Sequence, residues 1–356
     1  MKILTIVGTR PELIRLSEII KKLDIYFDHI FVHTGQNFDI NLRENFFNDL
    51  GLRLPNYQFN LKEKTTGFNF ISKMLINIEH VLIKEKPDRA LILGDTNSGL
   101  ASYICKQMHI PVFHMEAGNR CYDDNVPEEV NRRIIDSCSE YLLAYTQRSR
   151  EQLLIENYPP NKIIVIGNPI TEVLYKYSNN INSEKILKKY KVKNKKYILA
   201  TLHRTENITN KISLQKICNA LNKISEEYII LLSVHPKLDV MLKKFNINLE
   251  KNIIKCDPFG FKEFITLMEN TKIVLTDSGT VPEECSLLQI PSVLIRTSTE
   301  RPELLENNSM ILSGTESLAI YNAFKMILNL KIGNIPLDYQ DKDISDKIIK
   351  ILARSL

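Results

Sequence analysis

Short aliphatic runs alternate along this chain with longer stretches in which apolar residues return every three or four positions. The first run, Met1–Val7, is almost wholly apolar and suits a strand buried on both faces. Gly8-Thr9-Arg10-Pro11-Glu12 interrupts it, and Leu13, Leu16, Ile20 and Leu23 then mark one face of a helix. A second strand reads HIFVHTGQ (29–36). Asn37–Leu50 is polar, carries Phe38, Phe46 and Phe47, and reads as a helix or an ordered loop. A long helical pattern, Phe68–Glu85, feeds the strand Arg89–Leu93. Helix Ser98–Met108, strands Ile110–Met115 and Tyr141–Tyr145, helix Arg148–Asn157 and strand Ile163–Ile166 follow. This order predicts a doubly wound, Rossmann-like domain with a parallel sheet.

A charged connection, Leu174–Lys196, separates that series from a second one. Strands are expected at Tyr197–Thr201, Tyr228–Val234, Ile253–Lys255 and Ile273–Thr276, with Ser292–Ile295 as the last. The predicted architecture is therefore α/β with two Rossmann-like domains, 1–172 and 173–343. An amphipathic C-terminal helix, 344–356, is free to pack back on the first. A chain of 356 residues is too long for one ordinary core, which agrees.

Composition adds exclusions. With 44% hydrophobic and 25% charged residues the chain reads as globular. The net charge is a mild +5, and the lysine-rich run Lys185–Lys196 holds one aromatic, Tyr190, so no nucleic-acid partner is expected. Six scattered cysteines lack metal spacing, which points to no metal site and to a reducing, cytoplasmic location. Among them Cys121 is singled out because it lies in a polar loop between two acids. No apolar run is long enough for membrane insertion. The Gly8 turn is not G-x-G-x-x-G, and the second strand ends without an acid for a ribose, so a nicotinamide cofactor is rejected and no cofactor is expected.

The candidate chemistry centres on PVFHMEAGNRCYDDNVPEEVNRR (111–133). Its strand delivers Glu116 into a turn at Ala117-Gly118. Pro127-Glu128-Glu129 opens a helix whose apolar face is expected at Val130, Ile134 and Cys138. Asp95 ends the preceding strand in LILGDTNSG. Three acids at strand ends and a helix start mark the edge where an open α/β sheet works on ligands. The plainer alternatives are a surface pair between Glu128 and Arg132 and a helix cap at Asp95. Arg10 and Arg15 stand either as ligands for an anion or as solvent-exposed charges. In the second half, Asp277-Ser278-Gly279-Thr280 forms a strand-to-helix turn suited to a diphosphate. Glu284 suits a ribose, Arg301 a phosphate, and Phe259 a stacked base. His203 and Arg204 end another strand and suit proton transfer or phosphate contact.

Taken together, GTRPE (8–12), GDT (94–96), HMEAGNR (114–120), PEEVNR (127–132), LHRTEN (202–207), DSGTVPEE (277–284) and TERPE (299–303) resemble the non-hydrolysing UDP-N-acetylglucosamine 2-epimerases over nearly the whole chain. The resemblance implies a GT-B type fold with the active site in the interdomain cleft, a UDP-amino-sugar substrate and a homodimer. It implies that Asp95, Glu116 and Glu128 are the acid/base set with His203 beside them. Ser278, Gly279 and Thr280 would hold phosphates, Glu284 the ribose, and Arg10 the diphosphate. The chain departs from the commonest pattern at Arg15, at Gln36-Asn37, in the loop 119–126 and at Ser278-Gly279-Thr280. Those departures resemble the branch that converts UDP-2-acetamido-2,6-dideoxy-L-talose to UDP-N-acetyl-L-fucosamine, with UDP-GlcNAc/UDP-ManNAc interconversion as the alternative. A hydrolysing epimerase, a GT-B glycosyltransferase and a UDP-sugar sensor are the rivals.

Overall fold

A computed structural model of the protein describes residues 1–36, 47–59, 61, 67–123, 126–177 and 183–355. The expectation for Phe38 and Phe46, and the middle of the loop 119–126, therefore lie outside the described residues.

Two compact units divide the chain. Unit 1 is Met1–Tyr175 with Asp338–Leu356, and unit 2 is Lys176–Leu337. Unit 1 holds β1 (Lys2–Val7), β2 (Asp28–His33), β3 (Tyr57–Gln58), β4 (Arg89–Leu93), β5 (Val112–Met115), β6 (Tyr141–Ala144) and β7 (Ile163–Val165). They form one sheet in the order β3-β2-β1-β4-β5-β6-β7, and every pairing is parallel. Unit 2 holds β8 (Tyr197–Leu202), β9 (Ile229–Val234), β10 (Ile253–Cys256), β11 (Ile273–Thr276), β12 (Ser292–Leu294) and β13 (Met310–Leu312). Its parallel sheet runs β10-β9-β8-β11-β12-β13.

Helices cover both faces of such sheets, so the strands are apolar on both sides, and Ile3, Leu4, Ile6 and Val7 are all buried. The helix Arg10–Tyr26 buries Leu13, Leu16, Ile20 and Leu23 as its periodicity predicts. Two strands escaped the sequence reading. β3 is only two residues long, and β13 follows the strand expected to be last. The charged connection also contains a helix, Ser183–Lys189, with no buried residue to betray it.

In each sheet the strand order reverses once. In unit 1 the reversal lies between β1 and β4, and in unit 2 between β8 and β11. Loops leaving the strand ends at such a point diverge and open a crevice for ligands. The C-terminal helix Ile344–Ala353 packs on Arg10–Tyr26 within unit 1. Buried Glu172 holds its start, accepting from Ser345 N at 2.8 Å and Ser345 Oγ at 2.6 Å.

Candidate active site

The reversal in unit 1 collects most of the acids singled out above. β4 pairs in register with β5, Leu93 opposite Met115. Asp95 and Glu116 therefore leave adjacent strands at the same edge of the sheet. Gly8 at the end of β1 lies against this edge. A Cβ there would come within 2.0 Å of Ser98 Oγ and 2.5 Å of Thr34 Oγ1, so only glycine lets the turn sit so low.

Asp95 is not a helix cap. Thr96 is, accepting from Ser98 N at 3.2 Å while its hydroxyl donates to Glu12 Oε1 at 2.6 Å. The Asp95 carboxylate instead meets Arg132 Nη2 at 2.6 Å, and Asn131 Nδ2 donates to the Asp95 carbonyl at 2.9 Å. Arg132 is 2% exposed, which removes the reading of Glu128 and Arg132 as a surface pair. Glu128 itself is half-buried at the second position of the helix Pro127–Cys138.

That helix is turned the other way from its expected apolar face. Val130 is 52% and Ile134 39% exposed, whereas Glu129, Arg132, Ile135 and Asp136 are buried. A charged face pointing inward is costly unless every group is paired. Here the pairs exist. Glu129 accepts from Cys121 N (3.1 Å), Tyr122 N (3.2 Å) and Arg132 Nη1 (2.8 Å). Burial pushes its carboxyl up, but the Cys121 N–H and Arg132 outweigh that, and its pKa lies below the usual value. The Cys121 thiol sits 3.3 Å from Glu129 Oε2, and burial raises its pKa, as befits a packed rather than a reactive thiol.

Sequence reasoning also missed Glu12. It is buried and accepts from Gly8 N (2.6 Å) and Thr9 N (2.8 Å), closing the first turn of its helix. Burial raises its pKa to about 7 against the lowering effect of Thr96, Gly8 and Thr9. Arg10, at the helix start, is half-buried, and that burial lowers its pKa against the pull of Asp49. Arg15 is 4% exposed, so the solvent-exposed alternative fails for it.

In unit 2 the reversal brings β8 and β11 together. Buried Asp277 accepts from His203 N (3.0 Å), Arg204 N (3.0 Å) and Asn207 Nδ2 (3.2 Å), and His203 Nδ1 lies 3.2 Å away. Burial would raise the Asp277 carboxyl, but these donors hold it below its usual value. The contact fixes the half-exposed His203 ring by Nδ1. Ser278 N donates to Thr276 Oγ1, and Ser278 and Thr280 hydroxyls lie 3.2 Å apart. Gly279 is required by close approach, because a Cβ would meet Glu300 Oε1 at 2.1 Å and Arg296 Nη1 at 3.2 Å. Glu300 pairs with Arg296 at 3.0 Å and lies 3.8 Å from Arg204. Glu284 is buried in the helix Val281–Leu287.

Arg301 is buried, with Nε donating to Glu283 Oε1 at 2.5 Å. Phe259 is buried too, its ring stacked on Phe264 and edge-on to Tyr190 at 5.4 Å. One face of the ring is taken by Phe264 and the residue is 6% exposed, which leaves little of it open to a base. Among the described residues no helix is long and apolar enough to cross a membrane.

The family model for UDP-N-acetylglucosamine 2-epimerase matches residues 21–353. The chain belongs to that family. Proteins of this epimerase family are isomerases, and so is this one. The UDP-N-acetylglucosamine 2-epimerase of Methanocaldococcus jannaschii is 38% identical over 364 residues, 99% of each chain. Its structure with UDP-GlcNAc and UDP superposes with a TM-score of 0.92, covering 99% of both. The UDP-N-acetylglucosamine 2-epimerase of Rickettsia bellii is 36% identical, covers 99% of this chain and 96% of that one, and superposes with a TM-score of 0.91. A UDP-2,3-diacetamido-2,3-dideoxy-D-glucuronate 2-epimerase of Pseudomonas aeruginosa is 34% identical over 99% of this chain and all of that one. The two parallel-sheet units are thus of the GT-B type expected for the epimerase family.

Proposed function

We propose that this protein inverts C2 of a UDP-activated 2-acetamido sugar. The observation that carries the reading is the pair Asp95 and Glu116 on the adjacent ends of β4 and β5, beside the sheet reversal. Inversion needs one carboxyl group to remove the C2 proton and another to return a proton to the opposite face. As the C2–H bond breaks, its electron pair forms C1=C2 and the C1–O bond pair leaves with UDP. A glycal remains. Protonation at C2 and return of UDP to C1 complete the cycle. Asp95, Glu116 and Glu128 are assigned to the proton transfers, and Arg132 holds the Asp95 carboxylate at 2.6 Å.

The leaving diphosphate is assigned to unit 2. Ser278, Gly279 and Thr280 offer N–H and hydroxyl donors, with Arg301 buried behind them and Arg204 and His203 alongside. Glu284 is assigned to the ribose hydroxyls, and Arg10 and Arg15 of unit 1 to the anionic substrate. Deuterium entering C2 from heavy water in the presence of a UDP-sugar tests the whole reading. Binding of UDP without exchange would leave a sensor, and release of free amino sugar a hydrolysing enzyme.

For the sugar itself we favour UDP-2-acetamido-2,6-dideoxy-L-talose and its C2 epimer, UDP-N-acetyl-L-fucosamine. The support is the loop 119–126, which departs from the commonest pattern and whose Arg120 and Cys121 are held by Asp136, Glu156 and Glu129. The similarity to the M. jannaschii enzyme supports UDP-GlcNAc as the second reading. Exchange with UDP-GlcNAc alone would overturn the first.

A homodimer through unit 1 completes the proposal. Ile76 and Ile83 on the helix Phe68–Glu85, Tyr103 on Ala101–Gln107, and Val130 and Ile134 on Pro127–Cys138 are all exposed on neighbouring helices. Exposed apolar side chains on three neighbouring helices suit a second copy. Sedimentation of the wild type against Ile83→Glu tests it, and a monomeric wild type sinks it.

A further inference from the structure

The structure assigns to Asp136 a task that nothing above gives it, which rests on Glu116 being a proton carrier. We propose that Asp136 is a positioning residue that holds the backbone at Glu116 in a left-handed conformation and so aims its carboxylate. Glu116 has φ of +73°, a region that side-chain-bearing residues other than Asn and Asp seldom occupy. Such a conformation persists only where surrounding contacts impose it.

The Glu116 N–H itself donates to the Leu143 carbonyl at 3.0 Å, and the side-chain contacts on either side of it converge on one carboxylate. Asp136 is fully buried on the inward face of the helix Pro127–Cys138. Its Oδ1 lies 2.7 Å from His114 Nδ1, two residues before Glu116. Its Oδ2 accepts from Gly118 N at 3.2 Å, two residues after Glu116, and from Arg120 Nη2 at 2.7 Å. One carboxylate therefore grips the chain on both sides of the strained residue. His114 Nε2 lies 3.0 Å from the Gly94 carbonyl, which ties the same unit to the residue before Asp95. Gly118 completes the turn with φ of +82°, pressed so close to the helix Gln147–Ile155 that a Cβ would lie 2.3 Å from the Ser149 carbonyl.

The change Asp136→Asn keeps the shape but can place an amide NH2 where the Gly118 N–H and the Arg120 guanidinium need an acceptor. In the full-length enzyme kcat is expected to fall about thirtyfold or more while KM stays within about threefold, because misaimed chemistry rather than lost binding is the defect. UDP affinity is expected to be unchanged. A folded Asp136→Asn enzyme with wild-type kcat overturns the inference, as does a loss confined to KM. Should Asp136→Asn not fold, His114→Gln decides: a kcat at least about tenfold lower at unchanged KM supports it, and wild-type kcat overturns it. Glu116→Gln is assayed alongside. Turnover by Glu116→Gln removes the proton-carrier reading and this inference with it. A dead Glu116→Gln beside a fully active Asp136→Asn overturns this inference alone.

Discussion

Arg132 Nη2 and Asp95 Oδ2 stand 2.6 Å apart, joining the helix Pro127–Cys138 to the end of β4. The same guanidinium reaches Glu129 through Nη1 at 2.8 Å. A planar fork can serve two carboxylates at once, and an ammonium on a flexible stem cannot hold both in place. Arg132→Lys is therefore expected to lower kcat about tenfold with UDP affinity intact, read by coupled turnover and UDP titration. Wild-type kcat in that variant would show that orientation of Asp95 is immaterial.

Glu116→Gln and Asp95→Asn are each expected to abolish turnover and C2 exchange while UDP affinity stays within about tenfold. Calorimetric titration with UDP is the control. If either variant loses UDP binding, its carboxyl group serves the nucleotide rather than the proton.

Glu12 sets an expectation for pH. Its folded pKa is raised to about 7 from an ordinary carboxyl value of 4.5, with burial as the chief cause. The folded state therefore holds a proton that the unfolded chain has lost, and stability falls as pH rises from about 4.5 to about 7. Glu12→Gln removes that titration. Its oxygen can still accept from Gly8 and Thr9, and its amide can donate to the Thr96 hydroxyl, whose role reverses. Unfolding in urea at pH 5 and pH 8 is expected to show a smaller difference for Glu12→Gln than for the wild type. An equal or larger difference counts against the buried proton.

Gly279→Ala places a methyl group against the buried Glu300–Arg296 pair. The pair must separate or the turn must move, and either disturbs the donors assigned to phosphate. UDP affinity is expected to fall at least about tenfold, with the substitution confined to unit 2. Unchanged UDP affinity would take the phosphates away from this turn.

How much of this was legible beforehand depended on which force set each position. Leu13, Leu16, Ile20 and Leu23 follow a period, so the first helix and its buried face could be read directly. The central strands of both sheets are legible because strands covered on two faces are almost purely apolar, while the short edge strands β3 and β13 are not. The helix Pro127–Cys138 defeated the same rule. Its inward face is polar because Glu129, Arg132 and Asp136 find partners on other elements, and no local pattern announces partners that arrive through folding. Asp277 was seen only as part of a turn, yet it anchors His203 from below. The burial of Arg301 and Phe259 is not legible in the sequence, because an arginine or aromatic residue in a loop carries no sign of being packed. Motif order revealed which residues matter, while burial revealed which of them touch and which of them hold.

The return of Asp338–Leu356 to unit 1 sets the order in which the protein can mature. The half begun first on the ribosome is finished last, because Glu172 waits for Ser345 until the whole intervening half has emerged. Trimming the tail would therefore injure the half that holds the proposed proton carriers, far away along the chain from the cut.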